Sequence, residues 1–310
     1  MKDKYINFTI CSLTIIFFIE CILHTEIIIN TFTDTLKSFI FNLMPTMLPF
    51  FIISDLLTNY GFPRLISQKI GKFMHIFKLS NICAYPLIMS TTSGFPANAK
   101  VINDMLDKRQ INEIEANKLL TFTHFSNPLF IIGTVGVIFL QNKAMAIIIL
   151  IFHYLTNLII GLIFNKIFNY TSNNNKEIPI VQEGFVKTLS NAIVKGINSL
   201  FIVFGIILFS SLITNLLSSK LNINPFNKAL ITSFLEITKG LREISCLSLS
   251  INIKATLMTF FISFGGLSIH MQIISILSKY KINYLTYFLA RIGHAAISSI
   301  LIYLFLTFIY

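Results

Sequence analysis

The sequence predicts an all-α, polytopic membrane protein built from inverted repeats. Each repeat is a spanning helix, a re-entrant helical hairpin, a broken helix and a second spanning helix. Three observations point there. The composition is apolar: 54% of the 310 residues are hydrophobic and 12% are charged, with mean hydropathy +0.75, whereas a soluble domain carries about 25% charged residues. Apolar runs are interrupted by polar, Gly- and Pro-bearing stretches at 90–96 (STTSGFP) and 124–128 (HFSNP). The order of span, hairpin, broken span and span occurs twice. Non-helical backbone at membrane depth is tolerated only where protein or a water-filled cavity surrounds it, and in secondary transporters such breaks form substrate sites.

The N-terminal segment, 1–30, has a basic start and then an apolar run at about 5–23, long enough to cross a bilayer. No small-x-small cleavage site follows it, so it is expected to be an uncleaved signal anchor. The first repeat is expected at 31–168. The segment 24–35 has no Lys or Arg and reads as a connection before a span at about 36–58. Pro45 and Pro49 kink that span. Residues 60–78 interleave Arg64, Lys69, Lys72 and Lys78 with Ile and Phe, the pattern of an interfacial amphipathic helix. Residues 79–107 enter and leave apolar territory in too few residues for two crossings, since one crossing takes about 20; they read as a re-entrant hairpin with its tip at 90–96. A span at about 119–140 is broken at Ser126-Asn127-Pro128, and another follows at about 144–165. The polar run 169–180 (NYTSNNNKEIPI) is the one clear linker.

The second repeat is expected at 181–310. It opens with an amphipathic stretch and a span at about 192–217, then a polar loop at 218–228. Residues 229–251 set Glu236, Lys239, Arg242 and Glu243 around Gly240 between apolar arms and read as a second hairpin with its tip at Lys239-Gly240. A span at 255–278 is broken at Ser263-Phe264-Gly265-Gly266, and the last span, about 284–309, carries Arg291 and His294. The halves align locally. Thr35-Leu36 matches Thr188-Leu189, Ser93-Gly94 matches Lys239-Gly240, and Leu120-Thr121-Phe122 matches Met258-Thr259-Phe260. With the N-terminus cytoplasmic, the Lys and Arg of 2–4, 60–78, 100–118, 166–187 and 279–281 fall inside. The opposite side holds Lys143, Lys220, Lys228 and Lys254, in line with the positive-inside rule, and the second hairpin is placed on that far face. The net charge of +11 is thereby read as topology. The expected partner is the lipid bilayer, with no nucleic acid.

No HExxH, GxSxG or Walker pattern is present, so no catalytic residue, metal or cofactor is expected. Cys11, Cys21, Cys83 and Cys246 lack metal-ligand spacing and read as packed thiols. The binding candidates lie at the four interruptions. Ser93, Gly94 and Asn98 stand at the first tip, where hydroxyls, close backbone approach and a helix N-terminus favour an anion. The local alternative is that these hydroxyls bond back to their own helix. Ser126 and Asn127 supply neutral polar groups at the first broken span. Gly265 and Gly266 expose backbone at the second. Glu236 and Arg242 in the second hairpin are ionisable groups at membrane depth, functional by default: Arg242 would grip an anion bidentately and Glu236 would balance charge or couple an ion. The alternative is that this tip is solvated at the far surface. His124 and His153 read as hydrogen-bonded structural groups. Arg291 reads as snorkelling to the interface or pairing with an acid.

SGFPANAK (93–100), NEIEANKLL (112–120), SNPLFIIGTVGV (126–137), HYL (153–155), LEITKG (235–240) and FGGLSIHMQI (264–273) resemble the YlbJ-like sporulation integral membrane proteins. These belong to the wider nucleoside-recognition, or Gate, group. The resemblance covers nearly the whole chain. It implies a transporter used in endospore formation, carrying the small anion dipicolinate from the mother cell across the outer forespore membrane. A carrier of nucleosides or another small metabolite is the alternative within transport. A non-transporting membrane scaffold for sporulation is the alternative outside it.

Overall fold

The computed structural model describes residues 2–166, 184–220 and 223–308; the linker expected at 169–180 lies outside them. Every regular element among the described residues is helical. Helix α1 (Lys2–Leu23) is followed after His24 by α2 (Thr25–Ser38), a π turn (Phe39–Leu43) and α3 (Met44–Asn59). The connection expected at 24–35 is therefore helix. Its Thr31 and Thr35 are buried, and Asn215 Nδ2 donates to Thr31 Oγ1 at 2.6 Å, so a polar face that reads as loop in the sequence is satisfied by another helix. The two arms meet at 49° where the π turn and Pro45 interrupt the regular hydrogen-bond ladder.

The amphipathic stretch at 60–78 forms α4 (Phe62–Ile70) and a 3₁₀ turn (Gly71–Phe77). Two short helices then follow, α5 (Ala84–Ser93) and α6 (Ala97–Asp107), joined by the expected Gly-Pro turn. The first broken span is α7 (Glu113–Phe122), a non-helical stretch at 123–127 and a π-helical run (Phe130–Phe139). Helix α7 starts on a capping box, with Asn112 accepting from Glu115 N and the Glu115 side chain reaching back, which fixes its first turn. Helix α8 (Lys143–Asn165) completes this half.

The second half repeats the order with fewer joints. The amphipathic run and span expected separately are one helix, α9 (Phe185–Lys220). Then come α10 (Pro225–Leu235) and α11 (Ile237–Ser245), α12 (Ile251–Phe264) and α13 (Gly266–Ile276) broken at Gly265, and α14 (Tyr284–Phe308). Among the described residues five stretches are long and apolar enough to cross a membrane: Tyr5–Leu23, Lys143–Asn165, Phe185–Lys220, Ile251–Ile276 and Tyr284–Phe308. The bent pair α2–α3, taken as one span, makes a sixth. This is a multi-pass integral membrane protein.

Aromatic rings pack closely inside the first half. Phe77 and Phe122 stack with centroids 4.4 Å apart, and Gly161 of α8 lets Phe122 in, since a Cβ there would fall 2.6 Å from the ring. Packing between the halves is reciprocal. Helix α6 touches α13, α11 touches the π-helical run, and α14 packs on both α12 and α8.

Candidate functional site

Each hairpin tip rests on the break in its own half. At the first, Gly94 (φ +73°) approaches so closely that a Cβ would lie 2.5 Å from Asn127 N. Three hydrogen bonds hold the docking: Phe95 N–H to Phe125 O at 2.8 Å, Asn98 Nδ2 to Thr123 O at 3.0 Å and Asn127 Nδ2 to Ser93 O at 3.5 Å. Asn127 Oδ1 also accepts from Leu129 N at 2.7 Å, so it restarts the helix after the break as an N-terminal cap does. The hydroxyls of this tip bond to their own helix. Ser90 donates to Leu87 O, Thr91 to Ile88 O and Ser93 to Met89 O, at 2.5–2.7 Å. Back-bonding, the local alternative, is what this geometry contains.

The second tip stands three residues earlier than the sequence alignment puts it. The turn is at Glu236, whose carboxylate accepts from Thr238 N at 3.2 Å and Lys239 N at 2.7 Å and so caps α11. Gly240 lies inside α11, where a Cβ would sit 2.2 Å from Ser233 Cα; the glycine serves close packing of the two arms. This tip rests on the second break, with Ser233 O and Ile237 N 3.2 and 3.3 Å from the Cβ position of Gly266. Both glycines of that break have left-handed backbone, Gly265 at φ +93° and Gly266 at +66°, which is why glycine stands there.

The two breaks are joined to each other. Phe95 stacks on His124 at 4.5 Å, and His124 Nε2 lies 2.5 Å from where a Cβ on Gly265 would be. His153 of α8 reaches both: Ser126 N–H donates to its Nε2 at 2.9 Å, and its Nδ1 lies 2.9 Å from Ser263 Oγ. Because Nε2 accepts, the ring proton is on Nδ1 and is given to Ser263. Tyr154 OH adds bonds to Thr91 O and Ser126 O at 2.6 and 3.1 Å. The predicted residues Ser93, Gly94, Asn98, Ser126, Asn127, Glu236, Gly265 and Gly266 thus lie on one connected set of tips and breaks. Arg242 does not join them. It is exposed and lines an open surface pocket with Lys228, Lys239 and Glu243, the solvated position weighed as its alternative.

Residues 40–167 match the family model for Gate, described as nucleoside recognition. Over 297 residues the chain is 30% identical to the sporulation integral membrane protein YlbJ of Bacillus subtilis (strain 168), covering 84% of this chain and 73% of that one. The chain belongs to the YlbJ family. No solved structure matches it. In this YlbJ-family protein the Gate-matching stretch holds the first tip, the first break and His153, while the second tip and second break lie beyond it.

A polar stripe on α14 completes the site, and sequence reasoning did not assemble it. Tyr287, Arg291, His294 and Ser298 are all buried and recur at spacings of four, three and four, the signature of one helix face. Tyr287 OH bonds His124 Nδ1 at 3.0 Å, His294 Nε2 lies 2.8 Å from His153 O, and Ser298 Oγ lies 2.9 Å from Ser263 Oγ. Arg291 is fully buried, so it does not snorkel, and no carboxylate pairs with it among the described residues. Both readings of Arg291 from the sequence are corrected. Its charge is held by neutral acceptors, Thr121 O and Asn157 Oδ1 on neighbouring helices and His294 on its own.

Proposed function

We propose that this sporulation membrane protein is a transporter whose substrate passes between two inverted halves, 31–168 and 181–310, at the meeting point of tips and breaks. The observation carrying this reading is the junction itself. Two helix breaks and two hairpin turns bring interrupted helix ends and buried polar side chains together inside an apolar protein. Ser126 Oγ, Asn98 Oδ1, His124 Nε2 and Ser268 Oγ are buried there without a hydrogen-bond partner. Buried polar groups are ordinarily satisfied, and a set left open at a helix break suits a polar ligand. The family resemblance supports dipicolinate, a planar aromatic dianion, moving from the mother cell across the outer forespore membrane with the N-terminus cytoplasmic. The surface lysines and Arg242 of the second hairpin would gather anions at the mouth rather than bind them at mid-depth.

The test is dipicolinate content in spores of a strain lacking its own copy, complemented with this chain, Asn127→Ala or Arg242→Ala at equal protein level. Wild type restoring accumulation and Asn127→Ala abolishing it is the expected result, with Arg242→Ala having a partial effect. Failure of a properly inserted wild type sinks dipicolinate transport. The Gate match favours one rival, a nucleoside carrier; nucleoside uptake into vesicles that dipicolinate does not inhibit would select it. A non-transporting scaffold predicts that tip substitutions are tolerated while the 60–78 surface is sensitive.

A further inference from the structure

We propose that Arg291, with Asn157 beside it, is the anchor that takes a carboxylate group of the substrate. This rests on the transport reading above and names the charge selection at its site. The guanidinium is fully buried. Its NH2 donates to Thr121 O and, at 3.2 Å, to Asn157 Oδ1; its NH1 lies 3.0 Å from His294 Nδ1; and its carbon lies 5.7 Å from the Tyr287 ring centroid. Every one of these partners is neutral. His294 is fixed in that state: arginine only donates, so Nδ1 accepts, and the ring proton is on Nε2, facing His153 O. A second charge on His294 would set a proton against the guanidinium.

A buried cation without an acid is strongly disfavoured unless something repays it. Here two donors at the same spot are also open: Arg291 Nε and Asn157 Nδ2 are buried without partners. A positive charge with two free N–H donors beside it, one on Arg291 and one on Asn157, is the complement of a carboxylate, whose two oxygens each take a charge-assisted or neutral N–H. The position fits the pathway. Thr121 stands in the last turn of α7 before the first break, and Asn157 is one turn from His153, which holds both breaks. With Lys239 and Arg242 at the surface pocket, Arg291 is the cation that meets the substrate inside. A neutral nucleoside would leave this charge uncompensated.

The experiment uses the full chain in lipid nanodiscs, with three probes of one shape: pyridine-2,6-dicarboxylate, benzene-1,3-dicarboxylate and the neutral pyridine-2,6-dicarboxamide. Wild type should bind both dicarboxylates and bind the dicarboxamide at least about tenfold more weakly, and Arg291→Lys should lose dicarboxylate affinity by more than about 30-fold, the loss expected when a buried charged pair loses its geometry. Asn157→Asp is the sharper variant, because it installs a carboxylate in the proposed slot with almost no change of shape. It should raise the melting temperature and abolish dicarboxylate binding. Two results overturn the anchor: Asn157→Asp melting higher yet binding dicarboxylates like wild type, which makes Arg291 purely structural, or wild type failing to prefer the dicarboxylates. Dicarboxylate binding that depends on Arg291, with no flux in vesicles, would sink transport and leave the anchor standing. Flux that ignores the carboxylates would sink the anchor alone.

Discussion

His153 and Ser263 lie 110 positions apart, and their side chains meet at 2.9 Å. Through this contact, and through Ser126 N–H on the other ring nitrogen, one imidazole holds the broken helix of each half. Replacing His153 by Ala orphans a buried backbone donor, Ser126 N–H, and takes one partner from Ser263 Oγ, which keeps Ser298. An orphaned buried donor costs about 1–3 kcal/mol. Thermal unfolding in detergent should show a clear drop, and an unchanged melt would mean that the breaks are held by other contacts.

Gly94→Ala and Gly265→Ala should both be severe. Each puts a Cβ on left-handed backbone and within 2.5 Å of a neighbour, Asn127 N in one case and His124 Nε2 in the other. Gly205 of α9 has nothing within 4 Å of its Cβ position, so Gly205→Ala should be neutral or stabilise by up to about 1 kcal/mol through helix propensity. Expression level and melting temperature of the three variants side by side test the contrast.

Glu236→Ala should destabilise by about 0.5–2 kcal/mol, the usual loss for an N-cap, while Glu236→Gln retains an acceptor and should lose less. Equal losses would show that the charge, rather than the cap, matters. The melts of the two variants decide it.

Lys100 Nζ and Asp104 Oδ2 are 2.7 Å apart and each side chain is 3% exposed. Asp104→Asn leaves the lysine charge buried without its partner, at a cost of about 3–5 kcal/mol. The double replacement Lys100→Met with Asp104→Leu should recover much of that loss, because an apolar pair fills the same space without desolvating ions. A double-mutant cycle on melting temperature measures the difference.

Tyr280 lies in the turn between α13 and α14, and its hydroxyl donates to Asp107 Oδ1 at 2.7 Å. Burial first, and then the Asp107 hydrogen bond and charge, push the phenol up to about 12. The folded state therefore holds this proton while the unfolded chain loses it near 10. Stability from this group is full below about pH 10 and declines as pH climbs towards 12. Difference titration of wild type against Tyr280→Phe should place the phenol near 12, and Asp107→Asn should bring it down.

The sequence shows the breaks at Asn127-Pro128 and Gly265-Gly266 and the first tip at Gly94, because Gly and Pro change backbone options locally. The second tip is misplaced for a related reason. Glu236 makes its turn by side-chain capping, with no Gly or Pro to announce it, while Gly240, which looks like a turn, is small so that Ser233 can approach. The helix at 25–38 is hidden because its buried Thr31 finds its partner, Asn215, on α9, a tertiary fact. Arg291 and His294 are visible as residues of a stripe, but their acceptors, Thr121, Asn157 and His153, come from two other helices. Composition and spacing describe one helix at a time and leave such meetings undetermined.

The uninterrupted helix Phe185–Lys220 has 36 residues and so runs about 54 Å at 1.5 Å per residue. The hydrocarbon layer is about 30 Å thick, and tilts beyond about 40° are uncommon. The rod must overshoot its bilayer, and the stretch between Lys195 and Lys220 matches the layer best, with a stiff extension beyond. A bilayer thinner or thicker than this match would load a stiff beam that packs against α2, α3 and α13.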